Sequence, residues 1–161
     1  IELNTGALGH GLPVAVGLAL AAKKSNSTRR IFLITGDGEL AEGSNWEAAL
    51  AAAHYGLDNL VIINDKNNLQ LAGPTREIMN TDPLADKWRA FGMAVSECEG
   101  NDMASLVAAI EGLKQEGKPN VIIANTTKGA GISFIQGRPE WHHRVPKGEE
   151  IALALEELKD E

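Results

Sequence analysis

The residues best suited to chemistry in this chain are Gly36-Asp37-Gly38 and, after a further 28 residues, Asn67-Asn68. The apolar runs 31–35 and 60–64 precede them and predict buried strands, so both groups follow strand ends at one edge of a sheet. Mg²⁺ binds through one or two carboxylates plus substrate phosphates, and a glycine lets a backbone N–H approach an anion. An isolated Gly-Asp-Gly predicts only a tight turn with an Asx cap. The second polar group, one crossover later, favours a magnesium–diphosphate site.

Strand patterns alternate with helical patterns, which predicts an α/β fold: a doubly wound, mostly parallel sheet with helices on both faces. Further strands are predicted at 93–97 and 120–125, and helices at 12–24, 45–54, 82–91, 102–115 and 147–158. Two long irregular stretches, 67–81 and 127–145, follow strands. Loops of this length are uncommon in compact domains unless they are functional, so both are expected at the site.

The bulk properties predict a single domain over 1–161. The net charge of −7, without a basic cluster, argues against a nucleic-acid surface. The single cysteine, Cys98, excludes an internal disulfide and fits the reducing cytoplasm. The longest apolar stretch, 11–22, is too short for a bilayer span. Because Ile1 begins inside a motif without a methionine, we expect the N-terminal part to be missing.

Three motifs carry a family resemblance. Gly36-Asp37-Gly38-Glu39-Leu40-Ala41-Glu42-Gly43 resembles the thiamine-diphosphate signature in its transketolase version. Thr5-Gly6-Ala7-Leu8-Gly9-His10-Gly11 resembles the family's cofactor-contacting loop. Lys128-Gly129-Ala130-Gly131 with Trp141-His142 resembles the segment near the diphosphate and the sugar entry. The motifs occur in family order over nearly the whole chain, so the chain resembles the diphosphate-binding, N-terminal domain or split subunit of transketolase.

The resemblance implies thiamine diphosphate with Mg²⁺, or Ca²⁺ or Mn²⁺, as cofactors. The metal ligands it implies are Asp37, Asn67 and the backbone carbonyl of Leu69. The cofactor-binding residues it implies are Gly6, Leu8, Gly36, Gly38, Glu39, Asn67 and His142. Gly38 is expected to offer its N–H to the diphosphate.

The resemblance also implies catalytic roles for Glu42, Glu47 and His142. Glu42 and Glu47 match acidic positions at the family's subunit interface, where facing carboxylates would share a proton between two sites. A solvated helix carboxylate is the alternative for Glu47. His142 matches a histidine that contacts the diphosphate and helps proton traffic at the aminopyrimidine; a slip of one residue would place His143 there instead.

Other positions stay open. His10 replaces a glutamine of the family motif and either reaches the cofactor or caps the loop. Lys128 either binds a sugar phosphate or caps the strand end. Leu8 either walls the cofactor pocket or packs in the core, and Asp65 is expected to be structural.

The expected function is transfer of a two-carbon ketol unit from a ketose (phosphate) donor to an aldose, a transketolase-type reaction. The partner implied is a subunit or domain with the pyrimidine-binding site, in a dimer or heterotetramer, with no nucleic acid and no membrane. Deoxyxylulose-phosphate synthase and an oxo-acid dehydrogenase component are alternatives, disfavoured by Glu42-Gly43. A non-catalytic partner of the same fold is disfavoured by the intact Asp37, Asn67 and Glu42. A dinucleotide-binding domain is disfavoured because no Gly-x-Gly-x-x-Gly follows the first strand.

Overall fold

The structure is a computed structural model that describes residues 1–71 and 73–159. The last two residues of the predicted 1–161 domain lie outside the described residues. The strands are β1 Ile31–Gly36, β2 Leu60–Lys66, β3 Leu69–Gln70, β4 Gly73–Pro74, β5 Ala94–Glu99 and β6 Asn120–Asn125. The helices are α1 Gly11–Lys24, α2 Gly43–His54, α3 Thr75–Ile78, α4 Leu84–Ala90, α5 Met103–Glu111 and α6 Glu149–Glu157. Short 3-10 helices span Gly38–Ala41 and Pro139–His142.

The main sheet has the order β1-β2-β6-β5, and all its neighbouring strands are parallel. The register aligns Gly36 with Asp65, and Asp65 with Ala124. The carboxyl ends of β1, β2 and β6 therefore lie side by side. The short antiparallel pair β3–β4 follows directly after β2.

The sheet is doubly wound, as predicted. The connection from β1 to β2 through α2 and the connection from β5 to β6 through α5 run in opposite directions across the sheet. Because such crossovers are right-handed, α2 and α5 lie on opposite faces. The face covered by α2 carries the main core, in which α1, α2 and α4 pack on β2 and β6. This core includes Leu12, Ala49, Trp88, Leu60, Ile62, Val121 and Ile123.

Small residues let α1 and α2 approach closely. Ala15 and Ala19 of α1 and Ala48, Ala49 and Ala52 of α2 are buried in the same cluster. An aromatic group then fills the space toward α4, since Trp46 lies 4.9 Å from Trp88 and 5.2 Å from Phe91 between ring centroids. This packing fixes the start of α2, which follows the Gly36-Asp37-Gly38 turn.

The second face is less covered by the described elements. Asp102 caps α5 by accepting a hydrogen bond from the N–H of Ala104 at 2.9 Å, yet no residue of α5 is buried. Phe32 and Ile34 of β1 remain exposed, Ile34 by 71%. Within residues 1–71 and 73–159, the structure contains no helix with the length and apolar character that crossing a membrane requires.

Several predicted boundaries differ from the structure. The helix predicted over 82–91 begins at Leu84, after Pro83, and the helix predicted to reach 115 ends at Glu111, before Gly112. Proline lacks an N–H and glycine is a weak helix former, so both favour helix ends. The stretch 67–81 is less irregular than expected, since it contains β3, β4 and α3.

Candidate functional site

Asp37 joins the end of β1 to the turn after β2. Its side chain is only 2% exposed. Oδ1 accepts a hydrogen bond from the N–H of Gly38 at 2.8 Å, and Oδ2 accepts one from the N–H of Asn68 at 2.6 Å. The N–H of Asp37 donates to the carbonyl of Asp65 at 3.0 Å. The two polar groups singled out in the sequence are therefore in direct contact.

The electrostatics of Asp37 favour a bound cation. Burial, together with the neighbouring Asp65 carboxylate, raises the pKa of Asp37 despite the hydrogen bonds from backbone amides. Among the described residues, no lysine, arginine or histidine forms an ion pair with Asp37. A buried carboxylate without a cation is costly, so a divalent ion would stabilise its charged form. The residues present therefore fit Mg²⁺.

The turn over 67–69 carries the other predicted ligands. Asn67 Oδ1 accepts a hydrogen bond from the N–H of Leu69 at 3.0 Å, which is the Asx turn considered as the simpler alternative. An amide oxygen has a second lone pair, so this bond does not exhaust Asn67 as a ligand. In the described parts of the chain, no three His, Cys, Asp or Glu side chains surround a metal position. Protein oxygens alone would leave coordination positions for diphosphate oxygens and water.

The loop 5–11 lies against the 3-10 helix 38–41 and the start of α2. The N–H of Gly9 donates to Glu39 Oε1 at 3.0 Å, and its carbonyl accepts from Ser44 Oγ at 2.7 Å. Gly6 and Leu8 of this loop are exposed, Leu8 by 46%. The alternative that Leu8 packs in the core is therefore wrong. Its role as an apolar wall of the cofactor pocket stays a prediction.

The glycines of the turn have different neighbours from those expected. The N–H of Gly38, predicted to face the diphosphate, donates to Asp37 instead. A Cβ at position 38 would lie 2.8 Å from Cγ of Gln70, so any larger residue there would require Gln70 to shift. Gln70 Nε2 also donates to the carbonyl of Gly38, at 3.3 Å. The N–H of Gly36 donates to Glu39 Oε2 at 3.3 Å.

His142 ends the 3-10 helix of the last long loop and is exposed. Partial burial, with the positive charges of Lys128 and His143 nearby, lowers the pKa of His142. Its ring centroid lies 4.5 Å from that of His143. The fold thus brings Lys128 near His142, and both histidines remain candidates for the site.

The loop around His142 is anchored at several points. Trp141 is buried, with Phe134 at 5.5 Å between ring centroids and the Arg144 guanidinium 4.1 Å above its ring. Helix α6 contacts the loop at two points, on either side of His142. Glu157 accepts hydrogen bonds from the N–H and the hydroxyl of Ser133, each at 2.6 Å, and Glu150 pairs with Arg144.

Glu42, Glu47 and His10 are exposed. Glu42 occupies the N-cap position of α2, and Glu47 lies on the first turns of the same helix. His10 precedes α1 and its Nδ1 lies 3.2 Å from the carbonyl of Leu8. An exposed position is compatible with an interface, but their interface and catalytic roles stay predictions.

Sequence reasoning did not single out Leu71, which follows the predicted ligand Leu69 by two residues. Leu71, directly after β3, is a non-glycine residue with φ +48° and 51% exposure. Strained backbone at an exposed apolar residue favours a functional position. Asp65 accepts a hydrogen bond from the Thr126 hydroxyl, which agrees with the structural role expected for it.

Comparison with known proteins identifies the family. The profile described as "Transketolase, thiamine diphosphate binding domain" matches residues 1–159. The chain belongs to the transketolase family. A subunit of the apulose-4-phosphate transketolase of Actinobacillus succinogenes is 73% identical over 161 residues, covering 100% of this chain and 58% of that protein. The 6-deoxy-6-sulfo-D-fructose transketolase subunit SqwG of Clostridium sp. (strain MSTE9) is 42% identical over 162 residues, covering 100% of this chain and 59% of that protein.

Solved transketolase structures share the fold. Transketolase from Campylobacter jejuni superimposes with a TM-score of 0.90 at 33% identity, over 97% of this chain and 26% of that chain. The α/β fold predicted from the sequence is thereby confirmed. As a member of the transketolase family, the chain has thiamine diphosphate as its implied cofactor. It spans little more than half the length of the curated relatives named above.

Proposed function

We propose that this chain is the diphosphate-binding part of a transketolase that moves a two-carbon ketol unit from a ketose phosphate to an aldose. The observation that carries the proposal is the buried Asp37, whose carboxylate joins the end of β1 to the turn after β2 in a transketolase-family domain. A buried carboxylate is costly in its charged form, and a metal ion bound together with a diphosphate would stabilise that form.

We assign the metal to Asp37, Asn67 and the carbonyl of Leu69, with Mg²⁺ as the ion and Ca²⁺ or Mn²⁺ as substitutes. Gly6, Leu8, Gly36, Gly38, Asn67 and His142 would surround the cofactor. Bound thiamine diphosphate supplies a nucleophilic carbon and an electron sink. The chain's own residues would hold the diphosphate end, exclude water with Leu8, and accept a proton at the His142 imidazole.

Glu42 and Glu47 would lie at an interface with a partner subunit that carries the pyrimidine-binding site. The first relatives are named as subunits of transketolases rather than as whole enzymes, which supports a split enzyme. Exposure of both carboxylates leaves them accessible to such a partner. A dimer or heterotetramer and a cytoplasmic location belong to the same proposal.

The substrate proposed is a sugar with an anionic terminal group. A relative at 73% identity is named for apulose 4-phosphate, and one at 42% for a sulfonated fructose. The higher identity favours the phosphorylated sugar here.

The test is reconstitution. The complete protein, its candidate partner and their mixture are each assayed with thiamine diphosphate and Mg²⁺. The donors compared are apulose 4-phosphate, xylulose 5-phosphate and 6-deoxy-6-sulfo-D-fructose. We expect ketol transfer from the mixture alone, with apulose 4-phosphate as the preferred donor. Full activity from the unpartnered protein, or none from any mixture, would contradict the proposal.

A further inference from the structure

The carboxylate of Glu39 joins two segments that are distant in sequence. Oε1 accepts a hydrogen bond from the N–H of Gly9 at 3.0 Å, and Oε2 accepts one from the N–H of Gly36 at 3.3 Å. We infer that Glu39 is a positioning residue that holds the loop 6–9 against the end of β1 in the geometry that receives the cofactor. The inference rests on the proposed function, because it takes that loop to be part of the cofactor site.

Gly9 is held on both sides of its backbone. Glu39 binds its N–H, and Ser44 Oγ donates to its carbonyl at 2.7 Å. Gly9 has φ +81°, and a Cβ there would lie 2.5 Å from Ser44 Oγ and 2.7 Å from Cβ of Glu42. The loop thus approaches so closely that only glycine fits, and two polar side chains fix it there.

The support beneath Glu39 is rigid. The carbonyl of Glu39 accepts a hydrogen bond from Nδ2 of the fully buried Asn45 at 2.8 Å. The carbonyl of the next residue, Leu40, accepts one from Trp46 Nε1 at 2.9 Å. Both donors belong to α2, which packs in the main core. The helix therefore fixes the backbone of Glu39, and the side chain transmits that fixed position to Gly9.

Charge argues that Glu39 acts through the loop. A carboxylate in direct contact with a diphosphate would repel it, since like charges disfavour each other. Here both oxygens already face backbone N–H groups. The side chain of Glu39 was predicted to contact the cofactor; we assign it instead the role of positioning the loop.

Hydrogen exchange on the cofactor-free, complete protein with its partner subunit tests the docking. Glu39→Ala should make the N–H of Gly9 exchange about tenfold faster or more, the effect expected on losing a hydrogen bond to a charged acceptor. Glu39→Gln should lie between, because its amide keeps one acceptor oxygen for two N–H donors. Amides of β2 should be unchanged, and Glu111→Gln, an exposed glutamate at the end of α5, is the matched control. Unchanged exchange at Gly9 in Glu39→Ala overturns the inference.

Titration with thiamine diphosphate at saturating Mg²⁺ tests the link to the cofactor. Glu39→Ala and Ser44→Ala should each weaken binding, Glu39→Ala by about tenfold. The double variant should lose less than the sum of the two free-energy changes, because both side chains act through Gly9. A merely structural role would lower the melting temperature and leave the affinity unchanged. That outcome, or strictly additive losses, overturns the inference.

The two proposals fail in distinguishable ways. If the wild-type complex does not bind thiamine diphosphate with Mg²⁺, the proposed function fails, and the positioning role for the cofactor fails with it. If the wild type binds and Glu39→Ala binds equally well, only the inference about Glu39 fails.

Discussion

At the scale of single residues, the assignment of the catalytic histidine can be tested. Either His142 or its neighbour His143 matches the family histidine. His142 and His143 are adjacent and both exposed, so the fold alone does not choose between them. An imidazole can exchange a proton near neutral pH, whereas phenylalanine has similar bulk and no proton to exchange. We expect His142→Phe to lower kcat of the reconstituted enzyme about a hundredfold, within the usual range for a lost acid–base group.

The control for this prediction is His143→Phe, for which we expect a small change in kcat. A larger loss of kcat in His143→Phe would show that His143, and not His142, matches the family histidine. Normal turnover in both variants would show that the loop that carries these histidines is not part of the active site.

The protonation of His142 gives a second test at the same scale. Partial burial, then Lys128 and His143, lower its pKa below the usual histidine range. The folded state then binds fewer protons than the unfolded state between the two pKa values. The free energy of unfolding is therefore larger above this pH interval, and it decreases as the pH falls from the unfolded-state pKa through the folded-state pKa of His142. We expect NMR titration of the imidazole to give a pKa below about 6.5.

Removing one neighbouring charge should reverse part of this shift. Lys128→Met takes away a positive charge without shortening the side chain much, so the pKa of His142 should rise. Lys118→Met, which alters a lysine at the opposite end of β6, should leave it unchanged. A pKa of His142 that does not respond to Lys128→Met would contradict the proximity of these two residues.

At the scale of elements, two glycines have opposite structural roles. Gly9 is required where the loop approaches α2 closely, whereas Gly17 only weakens helix α1. Gly9→Ala forces φ +81° on a residue with a Cβ and places that Cβ against Ser44 and Glu42. We expect a loss of about 1–3 kcal/mol in the free energy of unfolding. Gly17, within α1, has open space where a Cβ would lie and an ordinary helical backbone. Gly17→Ala should raise the free energy of unfolding by about 0.5–1 kcal/mol.

Urea unfolding of the two variants beside wild type measures both changes. The opposite signs are the essential part of the prediction. If Gly9→Ala is tolerated as well as Gly17→Ala, the loop is not docked against α2 in solution.

The elements themselves were largely predictable, because the cues are local. Apolar runs marked all four strands of the main sheet, and the alternation with helical patterns predicted their parallel arrangement. Helix ends were missed by a few residues where Pro83 and Gly112 stop α4 and α5. The 3-10 helix after Asp37 and the short strands after β2 were not predicted, since two-residue strands leave no periodic pattern.

The site was only partly predictable for a different physical reason. Motif spacing brought Asp37 and Asn67 to neighbouring strand ends, and the contact of Asp37 with Asn68 agrees with that. Which amide each carboxylate oxygen binds depends on tertiary packing. The sequence therefore did not indicate that Gly38 donates to Asp37, or that Glu39 reaches Gly9.

At the scale of the whole molecule, the candidate site lies at the carboxyl ends of β1 and β2. Leu8 and Leu71 are about half exposed, and Glu42 and Glu47 are exposed as well. Asp37, in contrast, is buried and without a cation partner among the described residues. The domain thus offers a buried carboxylate that can bind a metal, and exposed apolar side chains that a partner can cover. This division agrees with a cofactor bound between this chain and a partner.

Calorimetric titration of thiamine diphosphate into the reconstituted complex tests this account most directly. Wild type should bind the cofactor with Mg²⁺ and lose binding when EDTA removes the metal. Asp37→Ala should abolish the Mg²⁺-dependent binding, because the diphosphate loses the cation that bridges it to the sheet edge. Asp86→Ala, an exposed carboxylate on α4, should bind like wild type. Unchanged affinity in Asp37→Ala, or binding of the wild type that does not depend on Mg²⁺, would contradict the metal–diphosphate site.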